Sequence, residues 1–424
     1  MKHIDLKREA IAGVTTFFTM AYIVVVNPAI LASPGTGMPF TGVLTATVLV
    51  AFLMTMLMGV YAKLPFGVAP GMGLNAFFAY TLVLGRNVPW PEALGLVFWA
   101  GMLFLVLSLT NVRVGISRAI PVGLRAASAV GIGLFLTFIG LKNAGLVVAS
   151  PATFVTMGAI DGKVLLSLAG LVITVVLMQR KSPLAFLAGI FAVTIGATVF
   201  GYIEPPKDLF SPPDFTSVLF KLDILGALKL SLLPAMIAVT FTDLFDSLST
   251  FIGVSKGAGL VDEAGEPRNL KQALVVDALA TAGAGLLGSS PGTAYIESVA
   301  GIEAGGRTGW TAVFTALCFL PCLFIAPLAG MVPGYATAPV LIIVGAMMFR
   351  TAKELDVARI EDMIPQFLVV VLIPLTFSIT QGLLWGFIAH CVLYPLAGRG
   401  KELRPAMWGI GIVSVGLLVL EALT

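Results

Sequence analysis

The feature that most constrains this chain is a series of apolar stretches close to the length that crosses a bilayer. A transmembrane helix needs about 20 mostly apolar residues, and a polar, proline-rich connector at 203–227 separates seven such segments from eight more. Because 58% of the residues are hydrophobic and 11% are charged, the sequence predicts an all-α polytopic membrane protein. The segments lie at 11–32, 41–61, 66–85, 92–111, 118–141, 164–178, 183–202, 228–254, 269–288, 291–303, 309–331, 336–350, 363–380, 382–397 and 405–422.

Four acidic residues lie inside these apolar segments and away from their ends. Asp243 and Asp246 share the segment at 228–254, Asp277 lies in the next segment, and Glu297 follows a Pro-Gly pair. Carboxylates at membrane depth are costly, so each of them indicates a functional site. Asp243 and Asp246 lie near one helical face, where two carboxylates would repel each other unless one is protonated or faces a different partner.

Helix breakers divide two of the segments in a similar way. Asn75 follows Pro70-Gly71, and Glu297 follows Pro291-Gly292. Proline removes a backbone donor and glycine weakens a helix, so we expect an extended chain before Glu297 and a short helix that begins near 294–297. A matched pair of interrupted segments indicates the central site of a transporter built from inverted repeats. Two alternatives stay open. The similarity between the two segments could be chance in Gly-rich sequence, and Glu297 could simply cap the short helix.

The predicted site combines hydrogen-bond acceptors with flat aromatic surfaces. Because the deep acids have no matching buried cation, we expect one of them to gain and lose a coupling proton. Asp243 and Asp277 are assigned to proton coupling or to support of the site, and for Asp277 we favour a hydrogen bond to the backbone opened by Pro291-Gly292. The predicted substrate-binding residues are Asp246, Glu297, Asn75, Phe77, Phe245, Tyr295, Thr16, Thr293 and Ala294.

Several other classes of function find little support in the sequence. There is no basic patch with interleaved aromatic residues, so nucleic acid is not an expected partner. The two histidines, His3 and His390, lie far apart, and no metal or organic cofactor is predicted beyond the coupling ion H⁺. An anion transporter is an alternative, although deep acids would repel its substrate. An intramembrane aspartyl protease is a weaker one, because the chain lacks a Gly-x-Gly-Asp run.

The loop charges predict an orientation. A cytoplasmic N-terminus places 19 of the 25 Lys and Arg residues in cytoplasmic loops, as the positive-inside rule requires. The first apolar run is longer than the 7–15-residue core of a signal peptide, so we expect it to be a retained transmembrane helix. The short loops favour a prokaryotic inner membrane. The sequence leaves open whether two copies form a homodimer.

Five motifs are spread along the chain: IAGVTTFFTMAY at 11–22, PGMGLNAFFA at 70–79, FDS at 245–247, YIES at 295–298 and GGRTG at 305–309. With these motifs, essentially the whole chain resembles the AzgA-like guanine/hypoxanthine permeases. This family belongs to the nucleobase–cation symporters with the uracil permease fold. The resemblance implies fourteen transmembrane segments as a 7+7 inverted repeat, with segments 3 and 10 half strand and half helix. The eighth apolar segment of the second half fits that number only if 363–397 contains shortened helices.

The resemblance also implies two domains with different roles. Segments 1–4 (1–111) and 8–11 (228–335) would form a core domain, and segments 5–7 with the connector (112–227) and 12–14 (336–424) a gate domain. Asp246 and Glu297 would hold a nucleobase, and Asp277 matches the acid of segment 9. The predicted function is therefore not enzymatic: it is the import of purine nucleobases (hypoxanthine, guanine or adenine) by proton symport with alternating access.

Overall fold

A computed structural model of the chain describes residues 5–110, 120–261 and 267–423. Within these ranges, nine helical stretches are long and apolar enough to cross a membrane. The helices are α1 (Leu6–Met20), α2 (Ile23–Leu31), α3 (Phe40–Leu57, continued by a π-helix at Met58–Ala62), α4 (Met72–Ala76, continued by a π-helix at Phe77–Gly85), α5 (Trp90–Leu109), α6 (Val122–Asn143), α7 (Gly162–Gln179), α8 (Ala185–Val199), α9 (Leu233–Gly257), α10 (Leu270–Leu287), α11 (Ser298–Glu303), α12 (Gly309–Phe319), α13 (Ala326–Gly330), α14 (Gly334–Met348), α15 (Ile360–Thr376), α16 (Ile379–Leu396) and α17 (Pro405–Leu423). The strands are β1 (Val68–Pro70), β2 (Val147–Ser150), β3 (Phe154–Met157) and β4 (Gly292–Ala294), and short 3-10 helices occupy Gly226–Leu228, Leu230–Leu232, Leu320–Phe324, Phe349–Glu354 and Gly400–Glu402.

The first helix begins earlier than the hydropathy indicates. Asp5 caps α1 by accepting the backbone N–H of Arg8 at 3.2 Å, so the helix starts at Leu6 instead of near residue 11. Such a cap satisfies one of the free donors at a helix N-terminus. The chain then breaks at residues 21–22, and α2 completes the first segment.

The two interrupted segments meet at the centre of the molecule. Strands β1 and β4 pair antiparallel, with Val68 opposite Ala294 and Pro70 opposite Gly292. The N–H of Gly71 also donates to the carbonyl of Pro291 at 2.8 Å. Non-helical backbone is tolerated at membrane depth only where other protein groups satisfy its N–H and C=O groups. Here the backbone of each interrupted segment forms hydrogen bonds with that of the other. Segments 3 and 10 are therefore half strand and half helix, as expected.

The helix packing follows the inverted repeat. Helix α6 packs on α14, the hairpin of α7 and α8 packs on α14, and the hairpin of α15 and α16 packs on α6. These helices are segments 5–7 and 12–14 of the two halves. In the remaining segments, α5 packs on α9 and α10, while α12 packs on α1 and α3. The 7+7 fold is thus confirmed.

The extra apolar segment of the second half is α17. It packs beside α16 and also reaches α9, and it follows the seven segments of the second repeat. The preceding pair, α15 and α16, is joined by Phe377 and Ser378 alone, and Phe377 takes a left-handed backbone conformation with φ 51°. This sharp turn makes the two helices an antiparallel hairpin.

The division into a moving core domain and a gate domain remains a prediction. Residues 111–119, which include the expected start of segment 5, lie outside the described residues, and so do Lys2, Arg113 and Arg118 of the orientation argument.

Candidate functional site

The four deep acids lie in two layers beside strand β4. Asp246 and Glu297 are partly exposed, whereas Asp243 and Asp277 are fully buried. Ser247, the neighbour of Asp246, lies 3.0 Å from the hydroxyl of Thr293 in β4. Helix α9 therefore holds the backbone beside Asp246 against the strand that leads to Glu297.

The buried acids are built into the support of β4. Asp277 accepts the backbone N–H of Ala294 at 2.9 Å and the hydroxyl of Ser247. Asp243 accepts the hydroxyl of Thr281, which also reaches the carbonyl of Gly292 at 3.0 Å. Oδ1 of Asp243 has no hydrogen-bond partner among the described residues.

Glu297 lies at the junction between β4 and the short helix α11. Helix α11 begins at Ser298, just beyond the expected range, and the side chain of Glu297 makes no capping hydrogen bond. Its Oε1 instead accepts the hydroxyl of Tyr22 at 2.7 Å. The hydroxyl of Thr19 lies 3.4 Å from the backbone carbonyl of Glu297. The break in segment 1 thus faces the break in segment 10.

Asn75 belongs to a buried polar cluster. Its Oδ1 accepts the hydroxyl of Ser290 at 2.6 Å, and Ser290 also lies 3.2 Å from Oδ1 of Asn27. The amide of Asn27 donates to Thr47 at 2.8 Å and to Ser289 at 3.0 Å. The amide nitrogen of Asn75 is buried without a partner among the described residues.

The other predicted site residues are mainly packing residues in this state. Phe77, Phe245 and Tyr295 are all at least 95% buried. Phe245 stacks on Phe241 with ring centroids 6.0 Å apart, and the hydroxyl of Tyr295 donates to the carbonyl of Pro70. Thr16 is buried, and its hydroxyl donates to a carbonyl of its own helix.

This arrangement suits a ligand that offers N–H donors. Ionised carboxylates only accept hydrogen bonds, and Asp246 and Glu297 present two of them in one region. Within the described ranges, no group of three or more His, Cys, Asp or Glu residues could hold a metal ion.

Sequence reasoning did not select Tyr22, Asn27, Ser290 or Thr281 for the site. Ser290 adjoins the Pro-Gly break of segment 10, which is the signal that could have found it, whereas Tyr22 and Asn27 belong to segment 1. Thr281 carries no such signal, because its role depends on how α9 and α10 pack.

Comparison with known proteins defines the class. The chain shares its fold with the transmembrane domain of a cyanobacterium bicarbonate transporter, BicA, with a TM-score of 0.66 at 19% identity, covering 91% of this chain and 98% of that one. With its apolar helices and crossed half-strands, the molecule is a multi-pass membrane protein of this fold.

The family follows from sequence similarity. Residues 7–384 match the model of the Permease family, and the chain belongs to that family. It is 41% identical over 402 residues to the adenine permease AdeP of Escherichia coli K12, covering 95% of this chain and 90% of AdeP. It is 40% identical over 410 residues to the guanine/hypoxanthine permease PbuO of Bacillus subtilis 168, covering 95% and 94%. The expected resemblance to guanine/hypoxanthine permeases is confirmed.

Proposed function

We propose that this protein is a secondary active transporter that imports purine nucleobases by proton symport. The relatives named as adenine and guanine/hypoxanthine permeases support the substrate class. The observation that carries the proposal is the set of four acids at membrane depth, none of which takes part in an ion pair among the described residues. They provide acceptors for a nucleobase and a place for a proton.

Recognition of the base rests on the two partly exposed carboxylates. Glu297 accepts adjacent N–H groups of the purine, because a carboxylate forms two parallel, charge-assisted hydrogen bonds with such an edge. Asp246 accepts from the opposite edge. Neighbouring aromatic residues of the crossed segments pack against the ring, which offers flat apolar faces.

Proton coupling rests on the buried carboxylates. An ionised carboxylate is costly to bury without a compensating charge. Asp243 and Asp277 are both buried beside β4 and have no basic partner among the described residues. One of these acids, or Asp246, carries the proton during transport. The same layer holds β4 through Ala294, so protonation and the geometry of the site are linked.

Transport by alternating access requires the core domain to move against the gate domain. The N-terminus lies on the cytoplasmic side, and the protein resides in the inner membrane of a prokaryote. Two copies form a homodimer in the bilayer, and cross-linking in native membranes tests this association.

The decisive experiment measures uptake of labelled hypoxanthine into proteoliposomes with an imposed inward proton gradient. Uptake should rise as the outside pH falls, and excess guanine, adenine or xanthine should compete. Uptake that follows a sodium gradient at constant pH would remove proton coupling. Inhibition by bicarbonate or sulfate but not by purines would support the anion transporter instead.

A further inference from the structure

Tyr22 touches both the candidate substrate site and the set of helices predicted to form the gate. Its side chain is 1% exposed. Its hydroxyl donates to Oε1 of Glu297 at 2.7 Å, and its ring centroid lies 4.7 Å from that of Phe186 in α8.

The local structure explains how Tyr22 reaches this position. Helix α1 ends at Met20 and α2 begins at Ile23, so Tyr22 lies in the break between them. The hydroxyl of Thr19 donates to the carbonyl of Thr16 at 2.7 Å, and hydroxyls that bond back to the preceding turn tend to bend helices. Tyr22 thus lies at the bend of segment 1, and from there its hydroxyl reaches Glu297.

We propose that Tyr22 positions the carboxylate of Glu297 for the nucleobase and links it to α8 through Phe186; this inference rests on the proposed function. The terminal torsion of a glutamate is broad, so an unrestrained carboxylate rotates. A charge-assisted hydrogen bond from a buried phenol fixes its plane. The plane decides whether two purine N–H groups can meet the two oxygens.

The contact with Phe186 gives Tyr22 its second role. An aromatic pair contributes attraction beyond the area that it buries, and Phe186 is 95% buried in the first turn of α8. Because the proposed alternating access moves α8 against the segment that carries Tyr22, the pair would have to slide or separate during each cycle. A carboxylate oxygen can accept two hydrogen bonds, so a nucleobase that binds Glu297 shares Oε1 with the hydroxyl of Tyr22, and binding and gate movement involve one side chain.

Two conservative variants separate these roles. Tyr22→Phe removes the hydroxyl and keeps the ring, so we expect the Kd of labelled guanine for the purified full-length protein to rise by about tenfold or more. Phe186→Leu keeps the Tyr22–Glu297 hydrogen bond, so we expect the Kd to stay within about twofold while the maximal uptake rate falls by about threefold or more. A general loss of folding would instead lower the number of binding sites in both variants. It would not raise the Kd in one variant and lower the uptake rate in the other.

The chain offers matched controls for both changes. Tyr335→Phe removes a hydroxyl that has no partner among the described residues. Phe191→Leu makes the same change on α8 at a side chain that is 55% exposed. Both controls should retain the wild-type Kd and uptake rate.

Infrared difference spectroscopy adds a readout that does not depend on affinity. Addition of guanine to the wild-type protein should shift a carboxylate band that is absent from Glu297→Gln and a tyrosine band that is absent from Tyr22→Phe. A guanine-induced tyrosine band that persists in Tyr22→Phe would contradict the inference.

The binding data also decide between this inference and the proposed function. A wild-type Kd for Tyr22→Phe would overturn the positioning role and leave purine transport intact. If folded wild-type protein binds no purine, the proposed function fails, and the role of Tyr22 fails with it.

Discussion

Glu297 is the deep acid whose charge should matter most for recognition. Replacing it by glutamine keeps the shape but exchanges an acceptor oxygen for a donor NH₂ group, which opposes the N–H edge of a purine. We expect Glu297→Gln to weaken guanine binding by about tenfold to a hundredfold, the range for a hydrogen bond to a charged group. Equilibrium binding of labelled guanine to the purified protein measures the effect.

Glu303 provides the control for this change. It is an exposed glutamate at the end of the same short helix α11, and Glu303→Gln should leave guanine binding unchanged. Wild-type affinity in Glu297→Gln would remove Glu297 from the site.

At the scale of single residues, the sequence predicted those site residues whose burial in a membrane is costly for their residue type alone. An acid within an apolar run, such as Asp246 or Asp277, stands out because burial of its charge is expensive. Tyr22 and Thr281 do not stand out, because tyrosine and threonine are ordinary in a membrane core. Their importance comes from contacts between segments far apart in the chain, which composition does not reveal.

The pairing of the crossed strands depends on glycine at position 71. A Cβ placed there would lie 2.7 Å from Cγ2 of Thr293, well inside ordinary van der Waals contact, and overpacking of this kind costs about 1–3 kcal/mol. We expect Gly71→Ala to push β1 away from β4, to lower the thermal unfolding temperature in detergent and to weaken guanine binding.

The same substitution elsewhere tests whether the strand contact is the cause. A Cβ at Gly253 in α9 would meet no atom within 4 Å, and alanine favours a helix over glycine by about 0.5–1 kcal/mol. Gly253→Ala should therefore be neutral or stabilising. If Gly71→Ala unfolds at the wild-type temperature, the two strands are not packed as closely as the structure describes.

The connector between the two halves is held onto α3 by Asp214. Its carboxylate accepts the hydroxyls of Ser217 at 2.6 Å and Thr41 at 3.0 Å, and its N–H donates to Thr45 at 3.0 Å. These hydrogen bonds, led by that from Ser217, lower the pKa of Asp214 to about 2. The ordinary value is about 3.9, so the contribution to stability is complete above about pH 4 and disappears as the pH falls through about 2.

Asp214→Ala should therefore lower the unfolding temperature at pH 6, and the difference from wild type should shrink steadily below pH 4. The effect is modest because the carboxylate lies near the protein surface, where water screens it. Asp208→Ala, at an exposed acid of the same connector, should cause no such difference. A deficit of Asp214→Ala that grows toward low pH would contradict this account.

At the scale of secondary-structure elements, the sequence predicted where helices break but not which segments pair with each other. Pro70-Gly71 and Pro291-Gly292 indicated where helix gives way to extended chain, because the reasons lie in those residues themselves. The register that places Pro70 opposite Gly292 requires two segments more than 200 residues apart to meet. The assignment of α17 outside the repeat likewise required the packing of the two hairpins on α6 and α14.

At the scale of the whole molecule, the proposed alternating access requires the core and gate sets of helices to move against each other. Gly73 in segment 3 and Ile132 in α6 lie where these sets meet, and a Cβ on Gly73 would lie 3.9 Å from Cβ of Ile132. This separation suits a disulfide, whose Cβ atoms are about 3.5–4.5 Å apart. In a background without the three native cysteines, the pair Gly73→Cys and Ile132→Cys should form a disulfide on oxidation.

If transport requires the two sets to separate or slide, oxidation of this pair should abolish hypoxanthine uptake, and a reductant should restore it. The pair Gly386→Cys and Val369→Cys is the matched control, since its Cβ atoms would be 3.6 Å apart within the single hairpin of α15 and α16. That disulfide joins elements that move together, so uptake should continue after oxidation. Full uptake with the first disulfide formed would mean that α6 and segment 3 travel as one body, and the boundary between a core and a gate domain would have to be drawn elsewhere.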